Sequence, residues 1–409
     1  MAFNLALVIV GTTVLLLGIL SNYIERSLLS KPLLALIIGV VIGFWFNSPD
    51  ILTSQLAAQY KIFIEELARI TLAIGLMGIA LRLPRKSLLN FWRPNATLLG
   101  PVMILMWLTS GLIIWGIIGL PFWIALLIGA VLTPTDPVLA SSIVTGNIAE
   151  QEVAADVRHT MSFESGVNDG LAYPFIFLPV LLSTLSTSQA VSDWFLKIVL
   201  QGVLAAVLIG AAMGYGAGRI LRWAQEREHI GKTSFLAFAL ALSFIALGAI
   251  KLVGSDGLLG VFVAGVAFTL AMPEKERKQD FQQEHFQEAV NRFFTLPIFV
   301  FFGMILPWHA WLQMGWLSLA LVVLVLLFRR LPYVVGLNRF MGKAGGLKNS
   351  LFIGWFGPIG VGAIYYAALA ERTVHQSIIW ELSSLVIVSS VAVHGVSGTP
   401  FTRLYGKWK

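Results

Sequence analysis

The chain has 409 residues, 57% of them hydrophobic and only 12% charged, with a mean hydropathy of +0.83. Soluble domains carry about 25% charged residues, and no soluble fold could keep this much apolar surface from water, so the composition reads as an all-α polytopic membrane protein. Cysteine is absent, which excludes disulfide scaffolds, thiolate metal centres and cysteine nucleophiles. The net charge of +7 comes with no long basic run or arm, and so points to the bilayer rather than to nucleic acid.

A membrane span takes roughly 17–25 mostly apolar residues. Thirteen stretches qualify, at residues 3–22, 32–47, 62–83, 97–119, 121–145, 158–183, 194–222, 233–252, 256–272, 287–307, 313–336, 350–370 and 377–398. No basic residue precedes the first, as expected of a retained span rather than a cleaved leader. The polar stretch from Pro273 to Arg292 is expected to be a solvated loop, with Phe281 and Phe286 as interface contacts and His285 as a group that titrates near neutrality. With the N-terminus outside and thirteen alternating spans, the C-terminus is cytoplasmic. Of the 28 Lys and Arg residues, Lys61, Lys197, Lys251 and Arg372 then fall outside, Arg69 falls within a span, and the rest lie on the cytoplasmic side. That is the asymmetry of a plasma-membrane or bacterial inner-membrane protein.

Thirteen spans divide into six, a linker and six. An offset of seven makes the halves inverted repeats, here residues 1–190 and 230–400 with a linker helix at 191–229. The plan predicts that the corresponding fifth and twelfth spans are both interrupted. The fifth contains Thr133-Pro134-Thr135-Asp136-Pro137, and the twelfth contains Gly354-Trp355-Phe356-Gly357-Pro358-Ile359-Gly360-Val361-Gly362.

A proline within a helix lacks the N–H that would bond the carbonyl four residues back. Pro134 and Pro137 are thus expected to free the carbonyls of Ala130 and Thr133. Freed carbonyls beside Asp136 make an oxygen-rich pocket suited to a hard cation. The sixth span adds Phe163-Glu164-Ser165-Gly166-Val167-Asn168-Asp169-Gly170. Ser165 and Asp169 share one helical face, and Glu164 and Asn168 the adjoining one. Counting at ~1.5 Å per residue puts Asp136 and Asp169 both roughly 15–17 Å deep in a ~30 Å core, where two carboxylates can share a site. An intramembrane ionisable group costs at least ~2.5–3.5 kcal/mol and is functional by default. Low dielectric favours the protonated form of a carboxyl group, and a bound cation favours the ionised form. Proton and cation therefore compete for the same oxygens. Competition at a site that moves only when occupied is antiport, a transport activity rather than an enzymatic one.

The segments TPTDPVLA at 133–140 and FESGVNDG at 163–170, in that order on successive spans, resemble the monovalent cation:proton antiporter 1 family. GWFGPIGVGAIYYA at 354–367 and VHGVSG at 393–398 resemble in particular the fungal plasma-membrane Na+/H+ antiporters and their prokaryotic relatives. In span plan the resemblance covers nearly the whole chain. It implies exchange of Na+ or Li+ for H+ without a cofactor, in an inverted-repeat fold whose fifth and twelfth spans cross as broken helices. It further implies a cation held by the Asp136 and Asp169 carboxylates, the Ser165 hydroxyl and the Thr135 main chain, with a water held by Glu164. Asn168 stands at the asparagine of the family's Asn-Asp pair, which is associated with electroneutral exchange, and would orient the site. The core would move against a dimerisation domain, so a homodimer is expected.

The chain departs from the family at one point. Many relatives carry an arginine in the broken twelfth span, matched to the glutamate at the position of Glu164, where this chain has Ile359 and no basic residue. Glu164 is left to pair with Arg330, to hold a proton or to face water. Arg330, two residues before Pro332, equally suits an anchor at the cytoplasmic boundary.

A K+/H+ exchanger of the same fold fits these residues as well. A cation channel is a poorer fit, lacking a carbonyl selectivity-filter sequence and needing no proton competition. An intramembrane aspartyl protease would carry Gly-x-Gly-Asp where this chain has Gly166-Val167-Asn168-Asp169. Elsewhere, Gly210, Gly214 and Gly218 form a small-residue stripe expected to pack within the chain. Glu65, Glu66 and Arg69 are expected to form a structural ion pair, and His394 a satisfied hydrogen bond.

Overall fold

The computed structural model describes residues 2–26, 29–46, 54–83, 91–144, 147–227, 234–272 and 281–408. All regular structure among the described residues is helical. The principal helices are α1 (Ala2–Ile19), α2 (Lys31–Phe46), α3 (Ser54–Arg82), α4 (Trp92–Ile118), α5 (Phe122–Val131), α6 (Pro137–Val144), α7 (Ala155–Thr184) and α8 (Thr187–Glu226). They continue as α9 (Ser234–Leu252), α10 (Gly257–Ala271), α11 (Phe281–Met304), α12 (Trp316–Gly336), α13 (Leu347–Trp355), α14 (Val361–Val374) and α15 (Ser377–Lys407). A helix occupies each of the thirteen apolar stretches, and the fifth and twelfth are each split in two, as α5/α6 and α13/α14.

By length and composition α4, α7, α8, α12 and α15 are each able to cross a bilayer. The outer surface suits lipid rather than water: Leu252 is 89% exposed and Trp45 is 88% exposed. The sequence reading errs at two helix ends. The stretch expected to be a loop up to Arg292 is helical from Phe281 onward, because Gln, Glu and Ala between Phe281 and Arg292 are strong helix formers despite their polarity. The side chains of Phe281, His285 and Phe286 lie outside the described residues, as do Lys275, Arg277 and Lys278. The last helix runs past Gly398 to Lys407, carrying Pro400 in its interior.

Close packing is built on glycine. A Cβ at Gly210 or Gly214 of α8 would sit 2.4 or 2.0 Å from the carbonyl oxygen of Gly260 or Ala264 on α10, and one at Gly218 would meet the Ala271 side chain at 2.6 Å. The stripe is thus consumed within the chain. A second contact, unforeseen from the sequence, seats Gly39 and Gly43 of α2 against the Val300 and Met304 carbonyls of α11. In the N-terminal half of α3 the charges pair across helices as well as along one. Arg69 reaches Glu66, but Glu65 pairs with Arg372 of α14 at 2.7 Å and Lys61 with Glu371 at 2.7 Å.

Gly214→Val should lower the melting temperature of the detergent-purified protein, since overpacking against backbone costs about 1–3 kcal/mol. Gly216→Ala, whose Cβ would meet nothing within 4 Å, should melt no lower than the parent, since alanine is the better helix former.

Candidate functional site

Two helix breaks begin the site. α5 stops at Val131 and α6 starts at Pro137, while α13 stops at Trp355 and α14 starts at Val361. The prolines open a longer gap than simple kinks would. The Ala130 carbonyl is not freed as expected, since it accepts the Thr133 amide at 3.1 Å. The two gaps meet where the Asp136 amide donates to the Pro358 carbonyl at 2.7 Å.

Each break exposes a helix N-terminus, with unpaired N–H groups and partial positive charge, and a C-terminus of opposite character. Asp136 serves both N-termini. Its Oδ1 accepts the Leu139 amide at 3.0 Å, at the start of α6, and its Oδ2 accepts the Val361 amide at 2.5 Å, at the start of α14. Arg329 serves both C-termini, donating from Nη1 to the Leu132 carbonyl and from Nη2 to the Gly357 carbonyl at 2.5 Å. The sequence reading places Arg329 among the cytoplasmic cations, yet it is buried. Its signal was a pair of arginines ahead of Pro332 at the end of an apolar run. Pro332 has no N–H for the Phe328 carbonyl, and α12 steps out of regular helix at Arg329 and Arg330, which turns both inward.

The middle of α7 supplies Glu164, Ser165, Asn168 and Asp169, all buried. Arg330 holds Glu164 through two bonds, Nη1 to Oε1 at 2.7 Å and Nη2 to Oε2 at 3.2 Å, and its Nε donates to the Ile353 carbonyl at 3.0 Å. Such a forked contact is among the stronger ion pairs. At 2% exposure Arg330 is no interfacial anchor. Asn168 donates to the Thr135 hydroxyl at 2.7 Å and to Glu164 at 2.9 Å, and accepts the Thr135 amide at 3.2 Å. The Thr135 hydroxyl in turn donates to Glu164 Oε2 at 3.3 Å. The main-chain N–H of Thr135 is therefore committed to Asn168. Ser165 donates its hydroxyl hydrogen to the Met161 carbonyl at 2.8 Å.

Asp169 stands apart from this network. It is fully buried, and neither carboxyl oxygen has a hydrogen-bond partner among the described residues. Its main-chain carbonyl accepts the Tyr366 hydroxyl at 2.6 Å. Both aspartates lean on the start of α14, where a Cβ at Gly360 would lie 2.0 Å from Asp136 Oδ2 and one at Gly362 would lie 2.2 Å from Asp169 Oδ1. The glycines of the twelfth stretch thus admit the two carboxylates to one short segment of backbone. Pro134 lies beside Gly362, and a Cβ at Gly357 would strike the Arg330 side chain. The side chain of Pro137 lies outside the described residues. Behind the break, the Ile359 amide donates to the Ser390 hydroxyl at 2.8 Å, Ser390 contacts His394 Nδ1 at 3.1 Å, and His394 Nε2 meets the Trp355 carbonyl at 3.0 Å. His394 Nδ1 also lies 2.9 Å from the Ser390 carbonyl, so the ring ties Ser390 to Trp355 and braces both sides of the gap from α15.

Broken helices whose ends and unwound backbone converge on buried ionisable groups are the architecture of secondary membrane carriers. The profile of the transmembrane sodium/hydrogen exchangers matches residues 11–404. The chain belongs to the sodium/hydrogen exchanger family. It is similar to a Na(+)/H(+) antiporter of Saccharomyces cerevisiae, at 33% identity over 96% of this chain and 43% of the relative. It is also similar to Na(+)/H(+) antiporter 2 of Zygosaccharomyces rouxii, at 31% identity over 95% of this chain and 51% of the relative. The chain therefore spans about half the length of these curated relatives. A more distant likeness is to the K(+)/H(+) antiporter NhaP of Alkalimonas amylolytica, at 24% identity over 98% of this chain and 67% of the relative. The solved structure of the sodium proton antiporter MjNhaP1 from Methanocaldococcus jannaschii at pH 8 shares the fold, with a TM-score of 0.74 over 99% of each chain at 18% identity.

Arg330→Ala should destabilise the purified protein by about 3–5 kcal/mol, because it strands a buried charge. The double variant Glu164→Leu/Arg330→Met should recover most of that loss in the same thermal-unfolding measurement.

Proposed function

We propose that the chain is a secondary antiporter that exchanges Na+ or Li+ for H+, one for one, by alternating access. The observation that carries this reading is Asp169, a buried carboxylate with no partner for either oxygen among the described residues. Buried polar atoms are nearly always paired, and an exception calls for a functional explanation. The charge count supports the stoichiometry. Of the buried ionisable groups at the two breaks and on the middle of α7, Asp136, Glu164 and Asp169 outnumber Arg329 and Arg330 by one negative charge. One proton or one monovalent cation neutralises it, and the loaded site carries the same charge on either journey.

In this reading the Asp136 and Asp169 carboxylates, the Ser165 hydroxyl and the Thr135 carbonyl supply the cation's oxygens. Glu164 serves the site by holding Thr135 and Asn168, with Arg330 as its counter-charge. Asn168 orients, while Pro134, Pro137, Gly357 and Pro358 keep the breaks open. Two inverted repeats, residues 1–190 and 230–400 about a linker helix at 191–229, would present the site to each side in turn. The N-terminus is placed outside and the C-terminus in the cytoplasm of a plasma or bacterial inner membrane, and the working unit is a homodimer. K+ in place of Na+ is the second reading, supported by the likeness to a K(+)/H(+) antiporter.

The test is reconstitution into liposomes with a lumenal pH dye and an imposed proton gradient, adding Na+, Li+ and K+ in turn, with and without a voltage clamp by valinomycin and K+. Clamp-independent pH changes that vanish in Asp169→Asn are expected. Cation flux that continues without proton movement would instead mean a channel, and no response to any ion would end the antiporter reading.

Competition also fixes a pH dependence. Below the site's pKa protons occupy the carboxylate, so raising the pH strengthens cation binding. The apparent dissociation constant for Na+ should rise about tenfold for each pH unit lowered on the acidic limb, measured as the Na+ concentration giving half-maximal dequenching at each pH.

A further inference from the structure

A groove abuts the break between α13 and α14 without belonging to the ion site. It encloses about 210 Å³ and is walled by Leu331, Phe352, Trp355, Phe356, Phe401 and Tyr405, from α12, α13 and α15. Leu404 and Trp408, at its lip, are 60% and 45% exposed, so it opens to the outer surface of the bundle. No carboxylate lines it, and the single charged lining residue is Lys348. The Lys348 ammonium lies 4.4 Å from the centroid of the Tyr405 ring and donates to the Trp408 carbonyl. An ammonium has three donors, so two remain, and no acid pairs with Lys348 among the described residues. Lys343, Arg403 and Lys407 are exposed nearby in the chain, on the segments that lead into and out of this region.

Walls of this kind offer an ordered water too few polar partners to hold it, whereas a hydrocarbon chain would find contact along its whole length. The ammonium at the lip adds a demand that a neutral lipid leaves unmet. On the orientation proposed above, the groove lies toward the cytoplasmic face, where basic pockets between helices suit anionic headgroups. We propose that this groove binds an anionic phospholipid, with an acyl chain along Phe352, Phe356 and Phe401 and the phosphate accepting from Lys348. Leu331 follows Arg330 in sequence, and Trp355 ends α13 with Phe356 just beyond it in the break, so the bound chain packs on residues that frame the ion site. A ligand that binds only the folded arrangement stabilises it by mass action.

The test uses the full chain, purified in detergent and stripped of lipid. Native mass spectrometry and thermal unfolding are followed after adding dioleoyl phosphatidylglycerol, dioleoyl phosphatidylcholine or sn-glycerol 3-phosphate. Phosphatidylglycerol should remain bound and raise the melting temperature by several degrees, while the other two do neither. Lys348→Gln should abolish the preference, and Lys348→Arg should keep it. Leu404→Trp, at an exposed position that narrows the mouth, should reduce lipid retention without changing the lipid-free melt. Equal retention of the two lipids, an undiminished preference in Lys348→Gln, or stabilisation by glycerol phosphate alone would overturn the proposal. None of these readouts requires transport, so they stand or fall separately from the antiport reading.

Discussion

Four helix ends meet inside an apolar bundle, and the rest of the structure depends on how they are compensated. Breaking two helices at membrane depth strands main-chain groups that have no water to turn to, and it sets ends of like partial charge side by side. Asp136 takes the two positive ends and Arg329 the two negative ones. With the ends settled in this way, the extended segments between the half-helices can hold a fixed shape. Only then can Thr135, Gly360 and Gly362 be held against the groups they touch.

Around that cross the remaining groups fall into two sets with different tasks. Glu164, Asn168, Thr135 and Arg330 satisfy one another and leave little for an outside ligand. Asp169 is satisfied by none of them. The contrast between a closed network and one open carboxylate is what gives the region a direction of chemistry. Packing suggests where motion can be accommodated. Helix pairs seated glycine to carbonyl, α8 on α10 and α2 on α11, have no slack between backbones and behave as rigid units. The contacts between α3 and α14 at Lys61–Glu371 and Arg372–Glu65 are partly exposed ion pairs, which exchange partners at small cost.

The features legible in the sequence were those that act locally. Apolar runs marked the helices, and paired prolines around Asp136 with a glycine-rich run before Val361 marked the two interruptions. Helical spacing put Glu164 with Asn168 on one face, where a hydrogen bond now joins them. The inward turn of Arg329 and Arg330 was not legible, because two arginines and a proline closing an apolar run have the composition of an interfacial anchor. Only the packing of α12 against α4, α13 and α15 makes them interior charges. Nor did the glycines announce that carboxylates, rather than neighbouring helices, would fill the space beside them.

The two arginines, adjacent in the chain, differ in what holds them. Arg330 is matched to Glu164, a side chain, and its requirement could drift away through a paired change at a second position. Arg329 is matched to the carbonyls of Leu132 and Gly357, which every amino acid carries. No substitution at its partners can remove the acceptors that demand it. In a search for second-site suppressors, loss of Arg330 should therefore yield revertants at residue 164, while loss of Arg329 offers no single partner at which to compensate. The lineage of this fold would be freer to relocate the first charge than the second.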